Sequence, residues 1–182
     1  MNDAFDKVFE KNPSTVGRDL KLNFKKLLEG NALDEKESTL ALTAIGASLD
    51  LPELVKKGRA RLGELDFSQE QIEEAVESAA IVGMLNFYYR FKHMVTAQSP
   101  EAADRYRNAG LRMTALAKPS LGKERFEMLA FAISVVNGCE TCVAAHERTL
   151  REAGVPTEKI HDLARLTAVI KGIQGLINKE RL

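Results

Sequence analysis

An all-α fold is what the sequence predicts, on three observations. Apolar residues recur at spacings of three and four, no run alternates with a period of two, and helix-start residues stand ahead of the apolar stripes. At 182 residues the chain is long enough to bury a substantial core as a single domain over 1–182. The hydrophobic fraction is 45% with no tryptophan, so Leu, Ala, Ile and Val must fill that core.

Along the chain, residues near 18–29 read as a helix with Leu20, Phe24, Leu27 and Leu28 on one face. Asp34 caps a second helix that runs to about Leu49, and Pro52 opens a third, proline being favoured in a first helical turn. Ser68 caps a long stretch, FSQEQIEEAVESAAIVGMLNFYYRFKHMV, in which Gly83 is a candidate kink. A looser region follows, broken by Pro100, Gly110 and Pro119. Then come KERFEMLAFAISVV, a helix over CETCVAAHERTLREAG that Gly154 ends, and a final helix capped by Thr157.

EKESTLALTAIGASLDLPELVKKG, from Glu35, can be laid over ERFEMLAFAISVVNGCETCVAAHE, from Glu124, at a constant offset of 89 residues. Leu40 then falls on Leu129, Leu54 on Val143 and Ser68 on Thr157. The chain thus reads as two similar helical units, the first about 18–98 and the second about 120–182. In this register the places of Cys139, Cys142 and His146 hold Asp50, Glu53 and Lys57. A helical unit that packs without thiols or imidazole leaves those of the second unit to be explained by chemistry.

Charge excludes several classes of partner. Lys+Arg and Asp+Glu both number 26, so no basic excess favours nucleic acid or an anionic membrane surface. The opening residues, MNDAFDKVFEKNP, carry acids and no long apolar run, which predicts no secretory leader. No stretch approaches the roughly 18 apolar residues of a membrane helix. The expected setting is the reducing cytoplasm, where a purely structural disulfide is unusual.

The chemistry-bearing segment is NGCETCVAAHERTL. Spacings of three, four and seven put Cys139, Cys142 and His146 on one helical stripe. Asn137–Gly138 supplies a turn that places the first cysteine at a helix start, where free N–H groups and the helix dipole stabilise a thiolate. A C-x-x-C pair there closes into a disulfide with little backbone movement. Glu127 stands on the preceding helix beside the apolar run MLAFAISVV, a setting suited to a proton acceptor and donor. Simpler readings compete with this one. A zinc site needs four ligands, and the remaining histidines, His93 and His161, lie in distant helices, so no metal is expected. The same residues also fit a pair of inert core cysteines and a Glu127 that is only a solvated surface charge.

The pattern Glu127, eleven residues, Cys139-Glu-Thr-Cys142, three residues, His146 resembles the alkyl hydroperoxide reductase AhpD family, within the carboxymuconolactone decarboxylase-like helical superfamily. DLKLNF near residue 19, AAIVGMLNFYYR from Ala79, GLRMTALAKP from Gly110, and FEMLAFAISVVNGC through AHERTLREAGV are similar to segments of that family in the same order. The resemblance implies an AhpD-like helical fold, a homotrimer, and an antioxidant enzyme that reduces organic hydroperoxides and regenerates the peroxiredoxin AhpC. It implies no bound cofactor; the electron donor would be a dihydrolipoyl group on a carrier protein. By position, Cys142 would attack peroxide and Cys139, expected to be the more exposed sulfur, would resolve it into a redox disulfide and meet partner thiols. Glu127 and His146 would relay the proton. Some members carry a histidine just before the second cysteine, where this chain has Thr141. Two other functions fit the superfamily or the dithiol: a decarboxylase, which does not need the cysteine pair, and a redox sensor, which does not turn over.

Overall fold

The structure, a computed structural model, describes residue 1, residues 3–30 and residues 32–179. Among the described residues all regular structure is helical: α1 (Asp6–Lys11), α2 (Thr15–Glu29), α3 (Glu35–Ser48), α4 (Pro52–Glu64), α5 (Gln69–Gln98), α6 (Ala102–Arg105), α7 (Lys123–Asn137), α8 (Glu140–Glu152) and α9 (Thr157–Lys179).

The start signals act as their chemistry requires. Asp34 and Glu37 form a reciprocal capping box on α3, with Asp34 Oδ1 accepting from the Glu37 N–H at 2.8 Å and Glu37 Oε2 accepting from the Asp34 N–H at 2.9 Å. Ser68 and Gln71 do the same for α5. Ser14 caps α2, which starts earlier than its apolar face alone indicates. Thr157 is the first helical residue of α9 and not its cap; Pro156 precedes it. Gly83 neither ends nor interrupts α5, which continues through it for 30 residues.

Helices α3 and α7 pack on each other at the centre, and each is buried nearly all round from Ser38 to Gly46 and from Met128 to Ser134. This explains why both lack a polar face: neither meets water along its middle. Each turns back into a partner, α4 for α3 and α8 for α7. Helices α5 and α9 then cover opposite faces of the pair, and α2 covers α9. One apolar cluster, with Leu40, Ala44, Ile72, Val82, Leu129 and Ile133, lies on the α5 side. The other, with Leu42, Ile45, Phe131, Leu166 and Ile170, lies on the α9 side and extends under Phe24 of α2 and Phe5.

Equivalent backbone features recur along the chain 88 residues apart, not 89. Among the residues with positive φ, Asp50 pairs with Gly138 and Asp66 with Gly154 at this offset. Each follows a helix and builds the same pair of bonds. The N–H of Leu51 reaches the Gly46 carbonyl, as that of Cys139 reaches Ser134; likewise Phe67 to Leu62 and Val155 to Leu150. Such paired bonds across a left-handed residue close a Schellman turn. The positions equivalent to Cys139, Cys142 and His146 are therefore Leu51, Leu54 and Gly58, in place of Asp50, Glu53 and Lys57. Leu51 and Leu54 are buried, so at this corner the first copy packs leucines where the second carries sulfur.

Gly58 is required by close approach. A Cβ there would overlap Thr43 Oγ1, which is held at 2.7 Å from the Thr39 carbonyl inside the core. Gly58→Ala is expected to lower stability by about 1–3 kcal/mol, read as a lower denaturant midpoint with an unchanged slope.

Candidate active site

The site is built where α7 ends and α8 begins. Gly138, at φ 62°, lets the chain reverse, and the Schellman turn uses the Cys139 N–H on the Ser134 carbonyl at 3.1 Å. Cys139 then becomes the N-cap of α8 in extended conformation, its own carbonyl accepting from the Val143 N–H at 2.8 Å. The Cys139 side chain makes no capping hydrogen bond, so it leaves the N–H groups of the first turn to other acceptors. Serine or aspartate would ordinarily supply an oxygen there.

Cys139 and Cys142 are joined in a disulfide with Cα atoms 5.2 Å apart. The two sulfurs face different surroundings. Cys142 borders a cavity of about 380 Å³ and keeps 8% of its surface open, whereas Cys139 is 0% exposed behind it. This reverses the expectation that Cys139 is the more accessible. The Schellman turn folds Cys139 back against the end of α7, and Cys142, one turn on, is what the helix presents to the opening. The Thr141 hydroxyl oxygen lies 3.7 Å from Cys139 Sγ.

Glu127 projects from α7 and His146 from α8, and they meet with Oε1 2.6 Å from Nδ1. An ionised carboxylate can only accept, so Nδ1 is the donor in this contact, and in the neutral imidazole Nε2 is then the basic nitrogen. Both residues border the same cavity as Cys142. His146 and Cys142, four residues apart on α8, share one helical face. The structure thus gathers all four residues singled out from sequence around one corner.

Most of the rest of the cavity wall is apolar, with Val82, Leu85 and Tyr89 from α5, Phe126 from α7, and Met113 and Leu116 from the segment before α7. That segment is pinned to α5 by Glu74, whose carboxylate accepts from the N–H groups of Ser120 (2.9 Å) and Leu121 (2.7 Å). Asn86 is a site residue that the sequence reading passed over. Only 1% exposed, it donates to Ser134 Oγ at 2.9 Å and accepts from Asn137 Nδ2 at 3.0 Å, tying α5 to the last turn of α7. Arg90, one turn further along α5, donates to the Asn137 carbonyl at 2.7 Å and so satisfies a carbonyl at the end of α7. A polar residue within the apolar stretch AAIVGMLNF was the available signal.

Among the described residues, no group of three or more His, Cys, Asp or Glu side chains is placed to hold a metal ion. No helix among them is long and apolar enough to cross a membrane.

Residues 100–178, which include Glu127, both cysteines and His146, match the carboxymuconolactone decarboxylase family. Over 167 residues the chain is 35% identical to the alkyl hydroperoxide reductase AhpD of Anaeromyxobacter dehalogenans, covering 92% of this chain and 87% of that protein. It is 34% identical over 166 residues to the protein of the same name from Mycolicibacterium smegmatis, covering 91% and 90%. The AhpD of Mycobacterium ulcerans is 34% identical over 156 residues, covering 86% and 84%. Identity at this level over nearly the whole of both partners means that the chain belongs to the alkyl hydroperoxide reductase AhpD family.

Proposed function

We propose that this protein is a dithiol peroxidase that reduces organic hydroperoxides at Cys142 and closes its cycle through the Cys139–Cys142 disulfide. The observation that carries this reading is the Glu127–His146 pair, set with Cys142 around one mostly apolar cavity. A redox sensor needs a dithiol but no proton relay in a substrate-sized pocket.

In the reduced protein, His146 Nε2 takes the proton of Cys142 while Glu127 holds the ring and balances its charge. The thiolate attacks the terminal oxygen of ROOH. The O–O bond breaks, Cys142 becomes a sulfenic acid, and the departing alkoxide takes the proton from His146 to leave as an alcohol. Cys139 then attacks the oxidised sulfur, water leaves, and the disulfide forms before further oxidation can occur. Two electrons and two protons from a dithiol restore the pair.

The dithiol in this proposal is a dihydrolipoyl group on a carrier protein, and no bound cofactor takes part. The other proposed partner is the peroxiredoxin AhpC, whose disulfide the reduced pair would regenerate. These assignments rest on the family resemblance; a cytoplasmic location is proposed because a cycling dithiol suits a reducing compartment. A homotrimer is proposed on the family resemblance; exposed Phe87, Phe91 and Met94 on α5 supply apolar surface that another copy would cover.

The test is rapid mixing of reduced protein with cumene hydroperoxide, followed by mass analysis. Stoichiometric loss of two hydrogens (two protons with two electrons), linking the two cysteines, is expected; a protein that stays reduced would overturn the reading. The apolar wall makes a further prediction. Burying an aryl tail favours cumene hydroperoxide over hydrogen peroxide, by about tenfold or more in kcat/KM. Equal values would remove the cavity as the substrate site.

A further inference from the structure

The two sulfurs of the disulfide differ in access and in surroundings, which bears on how the bond is opened. A thiol arriving through the cavity meets Cys142, which borders it, while Cys139 has no exposed surface. Behind, Cys139 occupies the N-cap of α8, where it makes no side-chain capping bond in the disulfide form, and the Thr141 hydroxyl stands 3.7 Å from its sulfur. One sulfur is placed to be attacked and the other to hold negative charge.

We infer that the reducing thiol attacks Cys142 and that Cys139 is the leaving group, received by the α8 N-terminus and the Thr141 hydroxyl. The inference deepens the proposed dithiol cycle, and it reverses the role that the resemblance gives to Cys139 as the contact for partner thiols. The step is balanced. The incoming thiol gives its proton to His146, and its sulfur forms a bond to Cys142 Sγ. The Cys139–Cys142 bond breaks, and its electron pair stays on Cys139, which later takes a proton from water. The donor's second thiol then gives its proton to water, replacing the one Cys139 took, and attacks the donor sulfur in the mixed disulfide; Cys142 leaves and takes the proton held by His146, and the donor departs as a disulfide. Displacement is faster when the departing thiolate is stabilised, and that is what a helix N-terminus and a hydroxyl donor provide. Peroxide and dithiol therefore enter by one doorway and meet the same sulfur. Thr141 acts only when Cys139 carries charge.

The experiment uses the full-length oxidised protein and 2-mercaptoethanol, a monothiol with no second sulfur to release itself. The reaction is quenched in acid after a short interval, the protein is unfolded with a maleimide, and fragmentation between the two cysteines assigns each mass. The mercaptoethanol adduct is expected on Cys142 and the maleimide on Cys139; the opposite arrangement overturns the order of the sulfurs. Reduction by dihydrolipoamide is followed in parallel. If it proceeds while the monothiol adduct sits on Cys139, only this inference fails; if dihydrolipoamide leaves the disulfide intact, the proposed cycle fails with it. Thr141→Val should lower the ratio of the reductive to the oxidative half-reaction rate about tenfold, and Thr141→Ser should restore it. An unchanged ratio in Thr141→Val overturns the part given to the hydroxyl.

Discussion

Cys142→Ser is expected to lower hydroperoxide turnover below about one-thousandth of the parent rate, because a serine hydroxyl does not supply the soft, ionised nucleophile that peroxide oxygen requires. Cys139→Ser behaves differently. Its Cys142 still consumes about one equivalent of hydroperoxide, but the sulfenic acid has no neighbour to condense with. Turnover stops after the first cycle, and a dimedone adduct appears on Cys142. Stopped-flow kinetics with mass analysis measure both variants. Near-normal turnover by Cys142→Ser would show that the attacking sulfur is misassigned. Steady cycling by Cys139→Ser would show that the disulfide is not part of the path.

Glu127→Gln is expected to reduce kcat/KM by about a hundredfold near neutral pH, within the usual range for general acid–base groups. The two side chains have nearly the same shape, but the amide can donate where the carboxylate only accepts. At 2.6 Å from His146 Nδ1, a donating amide favours the tautomer with the proton on Nε2, which removes the basic nitrogen that the proposed cycle uses. The variant must then await ionisation of the thiol itself, ordinarily near pH 8.5. Its rate should climb as pH rises toward that value, while the parent depends on pH much less. Alkylation rate against pH, measured on the reduced proteins, reads the effect directly. Coincident profiles would take Glu127 out of the relay.

The parts of the molecule written in local chemistry were legible beforehand. Asp34 with Glu37 and Ser68 with Gln71 each announce a helix start, and both capping boxes are formed. Cys142 and His146 needed only the helical period to be set on one face, whereas Cys139 stands before the helix as its N-cap and looks elsewhere. The repeat was misread by one residue because the buried runs of α3 and α7 are apolar at nearly every position, so neighbouring registers align almost equally well. The residues that fix the register are the left-handed ones, and Asp50 and Asp66 hide in the first copy what Gly138 and Gly154 declare in the second. The Glu127–His146 contact joins two helices across nineteen positions, a distance at which periodicity says nothing; only the resemblance connected them. Burial of Cys139 depends on how a turn folds back against α7, and Asn86 matters through partners about fifty residues away. Neither is written in local spacing.

The matching turns also carry a lesson about what the reactive corner needs from its backbone. The chain traces this bend with the same hydrogen bonds once around leucines and once around thiols. The scaffold is therefore indifferent to its cargo, and the molecule carries within itself a blank casting of its own redox centre. Reactivity resides in a few side chains set on a bend that also forms around leucines.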